Sequence, residues 1–254
     1  MPNLRLIQAE VLKLRRRRGM LAVAVGLTLG LMAVAYLVTA IQHGGNPGKY
    51  GPAGGLKGFE DSLAFLSVVG FVMAAIIGST AGSQDIDTGV FRDLAATGRS
   101  RTALFLARVG GAWVVVLSIL AVTLALDVAG AFAFADGTAT PGAGDIGQAV
   151  AMTLAAGALG AALAVGLAAL FGSRGPVIGI LIAAHVVFEP QLQGAGFLGD
   201  ARKAIPVSAI DRIGDHASSG MDYKLALGTA VAVVAAWIAA ALVAGAWRTK
   251  SREI

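Results

Sequence analysis

The chain has 254 residues, 56% of them hydrophobic and only 14% charged, with a mean hydropathy of +0.76. A water-soluble domain carries about 25% charged residues, so this chain has too few to cover a solvated surface. Its apolar content excludes disorder, the absence of cysteine excludes a disulfide scaffold or a thiolate metal site, and 35 glycines without a three-residue period exclude collagen. An all-α polytopic membrane protein remains.

In Asn3–Arg18, the residues Leu4, Ile7, Val11 and Leu14 recur at helical spacing among Arg5, Lys13 and Arg15–Arg18. That pattern predicts a helix over 3–18 lying in the inner interface, apolar stripe toward lipid and cations toward headgroups. A solvated basic leader that only fixes orientation is the alternative. The stretch lacks the apolar core and small-residue cleavage site of a signal peptide. A bilayer core of about 30 Å needs roughly 20 apolar helical residues. The uncharged runs Met20–Ile41, Ser62–Gly82, Val109–Leu126 (apolar from near Ala103), Ile146–Ser173, Gly175–Phe188 and Leu225–Trp247 predict spans at 20–41, 62–82, 103–126, 146–173, 174–190 and 225–247. The fifth, with 14 residues between charges, is too short to be secure.

Charge decides that point. With the N-terminus in the cytoplasm and six crossings, 14 of the 20 Lys and Arg lie inside, giving a net +9 there against −4 outside. This is the positive-inside asymmetry of a cytoplasmic membrane protein. Without the fifth crossing, Arg248, Lys250 and Arg252 would sit outside beside a membrane end. Six spans with both termini inside is therefore the expected topology, and the basic balance reflects anionic lipid rather than nucleic acid.

The loops are unequal. Gln42–Asp61 is rich in Gly and Pro and reads as irregular. The loop around Phe134–Asp145 is short, and Phe171–Pro176 is a tight turn. The outer segment 191–224 has room for a short helix or two. A single transmembrane domain over 1–254 is expected, with neither a repeat nor a soluble domain.

Little chemistry is assembled. The stretch Gly44–Tyr50 approaches a phosphate loop but has His43 where the first glycine belongs and Tyr50 where Ser or Thr belongs. The histidines His43, His185 and His216 are too scattered to make a metal-ligand set. His185 and Glu189, one helical turn apart, form either a proton or cation site or a hydrogen-bonded pair near the outer boundary. Asp127 closes the outer end of the third span, where an interfacial place competes with an intramembrane one. Arg108, two turns beyond Arg101, is expected to snorkel to the inner headgroups. Gly26-x-x-x-Gly30, Gly78-x-x-x-Gly82 and Gly175-x-x-x-Gly179 would permit close helix approach.

The segment 83–101 is the most patterned. Ile86, Val90, Phe91 and Leu94 share one helical face, with Asp85, Asp87, Arg92 and Asp93 on the rest and a break at Gly98. A short amphipathic helix of this kind suits a groove in a soluble partner. A helix that merely caps spans two and three is the other reading.

Here the sequence resembles the ABC-2 type transport permeases, six-span subunits of ATP-binding cassette exporters. Asp85 stands at the family's acidic position between spans two and three, Gly89 at its glycine and Leu94 in its leucine stretch. Ser100-Arg101 is similar to the turn that opens span three, and Arg108 takes the place of a frequent Lys. Val90 replaces the usual Thr, Asp85 the commoner Glu, and Gly98 the typical Pro. Ala204–Ala209 is similar to the Leu-Pro-x-x-Ala stretch before the last span, and the basic start resembles the elbow helix.

The resemblance implies an exporter subunit in the bacterial plasma membrane that binds no cofactor itself. ATP and Mg would be held by a separate ATPase subunit, in two copies, beside a second permease copy or a paralogue. Asp85, Ile86, Gly89, Val90, Phe91, Leu94, Gly98 and Arg101 would form the coupling contact. The Ala-, Val- and Leu-rich spans suit a lipid-like, peptide or hydrophobic cargo. The rival reading is a stand-alone, proton-coupled carrier using Asp127, His185 and Glu189. It lacks the paired broken helices such carriers show. An intramembrane enzyme would need a nucleophile or metal at depth, and the sequence assembles neither.

Overall fold

A computed structural model describes residues 4–89, 98–214 and 224–251. Among these residues every regular element is helical. In chain order they are α1 (Leu4–Arg16), α2 (Arg18–Gly45), α3 (Gly55–Asp87), α4 (Arg101–Ala133), α5 (Ala143–Phe171), α6 (Arg174–Gly194), the 3-10 helix α7 (Gly196–Ala204), α8 (Pro206–Ile213) and α9 (Leu227–Ser251). Six of them, α2, α3, α4, α5, α6 and α9, are long and apolar enough to cross a membrane.

The centre of the bundle is α5, which packs along α3, α4 and α9. Its Ala- and Gly-rich sequence explains why. Without a hydrophobic driving force in lipid, helices associate where small side chains let backbones approach. Gly78 and Gly82 of α3 lie against Ala161, Ala164, Val165 and Ala168 of α5, and Gly166 of α5 lies against the Ala241 backbone of α9. Of the pairs Gly26/Gly30, Gly78/Gly82 and Gly175/Gly179, Gly78-x-x-x-Gly82 alone makes such a contact. Gly175 and Gly179 face open space, and Gly26 and Gly30 sit in a π-helical turn of α2. Larger side chains, Phe59, Met73, Ile77, Phe105 and Leu120, fill the spaces between the small-residue contacts. Trp113 of α4 donates its indole N–H to the Ala158 carbonyl of α5 at 2.9 Å.

Several boundaries differ from the sequence reading. The irregular first loop is short, since α2 runs to Gly45 and α3 starts at Gly55. Backbone bonds from Gly54 N–H to the Phe134 carbonyl (2.9 Å) and from Leu56 N–H to the Ala139 carbonyl (2.6 Å) sew it to the loop before α5. The fifth span does not stop at Glu189-Pro190 but continues to Gly194. Pro190 lacks an N–H and its ring crowds the preceding turn, and a π-helical turn at Ala183–Phe188 precedes it. Polar residues after the uncharged run hid those last turns.

The first helix also departs from expectation. It forms over Leu4–Arg16, but it packs against α4. Ile7 covers Gly110, Leu14 is buried in the core with Val11 packed beside it, and Leu4 alone of the stripe stays largely exposed. Two glycines in a row, Gly110 and Gly111, open the surface of α4 to receive it. At the other terminus, Arg101 Nη1 donates to the Lys250 carbonyl at 3.0 Å. Both terminal helices thus meet the same end of the bundle.

Candidate functional site

At that end, four charged side chains from three elements converge. Asp85, near the C-terminal end of α3, accepts from Lys13 Nζ at 3.0 Å on each carboxylate oxygen. Arg108 Nη2, two turns into α4, lies 3.1 Å from Asp85 Oδ2. Lys13 also reaches Glu10 Oε1 at 2.7 Å. The inner part of the group is buried, with Asp85 4% exposed and Arg108 fully covered, while Lys13 keeps a third of its side chain at the surface. Two cations and two carboxylates cancel, which is how charges at the edge of a membrane core are kept. Burial raises the Glu10 carboxyl above its ordinary value, and the Lys13 hydrogen bond and charge pull it part of the way back.

This geometry corrects one expectation. Arg108 does not snorkel to headgroups but turns inward onto Asp85. Asp85, itself buried, fixes the end of α3 to α1 and α4. Sequence inspection treats each charge on its own element and misses the pairing, since Lys13 and Asp85 are 72 positions apart. The available signal was that two buried-span charges of opposite sign, Asp85 and Arg108, fall at the same membrane end.

The clasp stands where the segment joining α3 and α4 leaves the bundle. Gly89 and Gly98 take left-handed backbone conformations, φ +75° and +78°, which glycine adopts without strain. The Ser100 hydroxyl accepts from Ala103 N–H and caps α4. Of the other expected coupling residues, Ile86 is in the last turn of α3 and Arg101 opens α4. Val90, Phe91 and Leu94 lie outside the described residues.

The remaining candidates lie apart from the clasp and from one another. Asp127 is fully buried between helices: its Oδ1 accepts from Tyr36 Oη of α2 at 2.8 Å and from Ser62 Oγ of α3 at 2.6 Å. His185 Nδ1 lies 3.1 Å from Glu189 Oε2, and the imidazole stacks on Phe71 at a centroid distance of 4.0 Å. Phe71 is the middle residue of α3 and His185 is next to the middle of α6. The stack therefore sets the imidazole beside the midpoints of two helices, with Glu189 one turn farther along α6. Its position follows from the extra turns of α6 that the charge-free run concealed.

Among the described residues, no group of His, Asp or Glu forms a metal site. No curated protein matches the chain. The family described as ABC-2 family transporter protein matches residues 6–189, well over half of the sequence and including most of α1, the clasp, the first four candidate spans and most of the fifth. The chain belongs to this family of ABC transporter membrane components.

Proposed function

We propose that the chain is the membrane subunit of an ATP-binding cassette exporter, driven by a separate ATPase that docks on the segment between α3 and α4. The observation that carries this reading is the buried clasp of Glu10, Lys13, Asp85 and Arg108 at the root of that segment. A docking loop transmits force only if its ends are fixed to the elements it must move. Asp85 and Arg108 lie in two 33-residue helices that run the length of the bundle, so a push on residues 88–100 moves α3 and α4 together, with α1 carried along.

In this reading Ile86, Val90, Phe91 and Leu94 offer the apolar contact, and Gly89 and Gly98 set its angle. Asp85 is a positioning residue beneath them. Arg101 ties the same corner to the end of α9. The clasp end faces the cytoplasm of a bacterial cell, with both termini there, because that orientation puts the cationic ends of the chain inside. Two such subunits, identical or paralogous, enclose the pathway, with one ATPase on each. His185 and Glu189 contribute a polar point to it at mid-depth.

The test is co-purification of the solubilised chain with a Walker-motif ATPase. Phe91→Asp and Leu94→Asp are expected to abolish association while membrane insertion persists. Transport by the chain with no ATPase present would end this reading and favour the stand-alone carrier.

A further inference from the structure

We infer that the cleft between α2 and α3, at the end of the bundle opposite the clasp, is a binding site for a single-chain amphiphilic cation of the alkylammonium class. The site does not depend on the ATPase partner.

The cleft encloses about 910 Å³, a volume typical of sites for drug-sized ligands. Its chemistry changes in three steps from mouth to floor. At the mouth, in the first turns of α3, stand Lys57, Glu60 and Asp61, all exposed, with carboxylates exceeding ammonium by one. At the waist are the hydroxyls of Tyr36 and Ser62. Deeper, the walls are Met32 and Ala35 of α2 and Phe65 of α3, ten residues into its helix and so roughly 15 Å below the helix start.

The waist decides the sign of the ligand. A hydroxyl has one proton to give. Tyr36 Oη faces Asp127 Oδ1 at 2.8 Å and the Asp127 carbonyl at 3.1 Å. Ser62 Oγ faces Asp127 Oδ1 at 2.6 Å and the Phe59 carbonyl at 2.8 Å. Each hydroxyl has a main-chain carbonyl to donate to as well as the carboxyl, so what it keeps for the cleft is lone pairs. The Asp127 carboxyl, fully buried behind that wall, has its Oδ2 without a hydrogen-bond partner. The cleft thus presents acceptors at its waist, a carboxylate excess at its mouth and hydrocarbon at its floor. An anionic amphiphile meets the wrong potential at both polar levels. A zwitterion gains at Glu60 and Asp61 but places its phosphate against acceptors.

The full chain has no cysteine, so Thr39→Cys on the cleft wall is a single reporter. In nanodiscs of zwitterionic lipid, the rate of its alkylation by a maleimide is followed with sub-micellar dodecyltrimethylammonium, dodecylphosphocholine or dodecyl maltoside. The cation is expected to slow labelling at Thr39→Cys and to leave Val38→Cys, exposed on the neighbouring face, unchanged. Adding Glu60→Gln with Asp61→Asn, both at exposed positions, raises the concentration for half protection by about fivefold, the factor for roughly 1 kcal/mol of lost ion pairing. Equal protection by all three chain-matched probes would make the cleft an apolar crevice and overturn the assignment. Preference for the phosphocholine would make it a phospholipid site and overturn it as well, and so would the absence of protection by any probe.

Discussion

Arg108 and Asp85 lie 3.1 Å apart with both side chains almost entirely withdrawn from solvent, joining the root of α4 to the end of α3. Removing one member of such a pair strands the other, and the cost is about 3–5 kcal/mol. Asp85→Leu or Arg108→Met alone should therefore lower thermal stability of the solubilised chain severely. Together they should recover most of the loss, because the residual pair of Glu10 and Lys13 is neutral and an apolar pair of similar volume avoids the desolvation penalty. If the clasp transmits force, the stable double variant still loses ATP-driven transport. Restored transport in that variant would leave the clasp with a folding role alone.

Glu10 responds differently. Burial holds its carboxyl above the usual carboxylate range, so the folded protein keeps a proton there that the unfolded chain has released. Where the folded state binds more protons, stability falls as pH rises. The contribution is greatest below the unfolded value of 4.5 and is lost between that value and the raised one. Glu10→Gln, which cannot ionise, should flatten this part of the stability–pH curve, measured by melting temperature between pH 4 and pH 8. A steep loss of stability at neutral pH would mean that the ionised carboxylate is the form the fold needs.

The contrast between Asp85 and Asp127 shows what a sequence can and cannot display here. Span number and position follow from hydrocarbon thickness and charge, and all six predicted spans correspond to long apolar helices. Boundaries shift because a helix obeys hydrogen bonding rather than hydropathy: α3 begins seven residues before Ser62 and takes in Lys57, Glu60 and Asp61. The positions of Asp85, Arg108 and Asp127 depend on which helix faces which. Only the small-residue register of α5 against α3 fixes that, and a linear pattern does not encode it. Likewise the apolar stripe of α1 announces burial but not the choice between lipid and the Gly110-Gly111 surface of α4.

Glycines that look alike in sequence should behave in opposite ways. A Cβ on Gly78 would come 2.9 Å from the Ala161 carbonyl and 2.7 Å from the Ala164 side chain, whereas one on Gly179 meets nothing within 4 Å. Gly78→Val should push α3 from α5 and cost about 1–3 kcal/mol. Gly179→Ala should be neutral or stabilising by up to about 1 kcal/mol, the difference in helix propensity. Melting temperatures of the two variants in one detergent check the pair. Equal effects would mean that the α3–α5 contact adjusts freely.

Orientation is open to a direct measurement. On the cysteine-free background, Thr88→Cys and Ser251→Cys sit at the clasp end, and Asn46→Cys and Asp200→Cys, all at exposed positions, sit at the other. In intact cells an impermeant maleimide should label the second pair, and the first pair only after permeabilisation. Labelling of Thr88→Cys in intact cells would place the α3–α4 segment outside, beyond reach of any cytoplasmic ATPase.

The stack of His185 on Phe71 sets a polar pair against the middle of α3, while its neighbours on α6, Val187 and Phe188, are exposed. The pair itself is largely covered, with 10% and 13% of the two side chains exposed, as ionisable groups within a span are expected to be, and only that small part could meet a pathway. Glu189→Gln keeps an acceptor for His185 Nδ1 and the same shape, but removes the carboxylate. If the pair touches cargo, substrate-stimulated ATP hydrolysis by the assembled complex should fall about tenfold, the factor for roughly 1.4 kcal/mol, with melting temperature and ATPase association unchanged. His185→Leu, which removes the partner as well, should not fall further, since the two act as one unit. Unchanged stimulation in Glu189→Gln would leave the pair as a packing contact against Phe71.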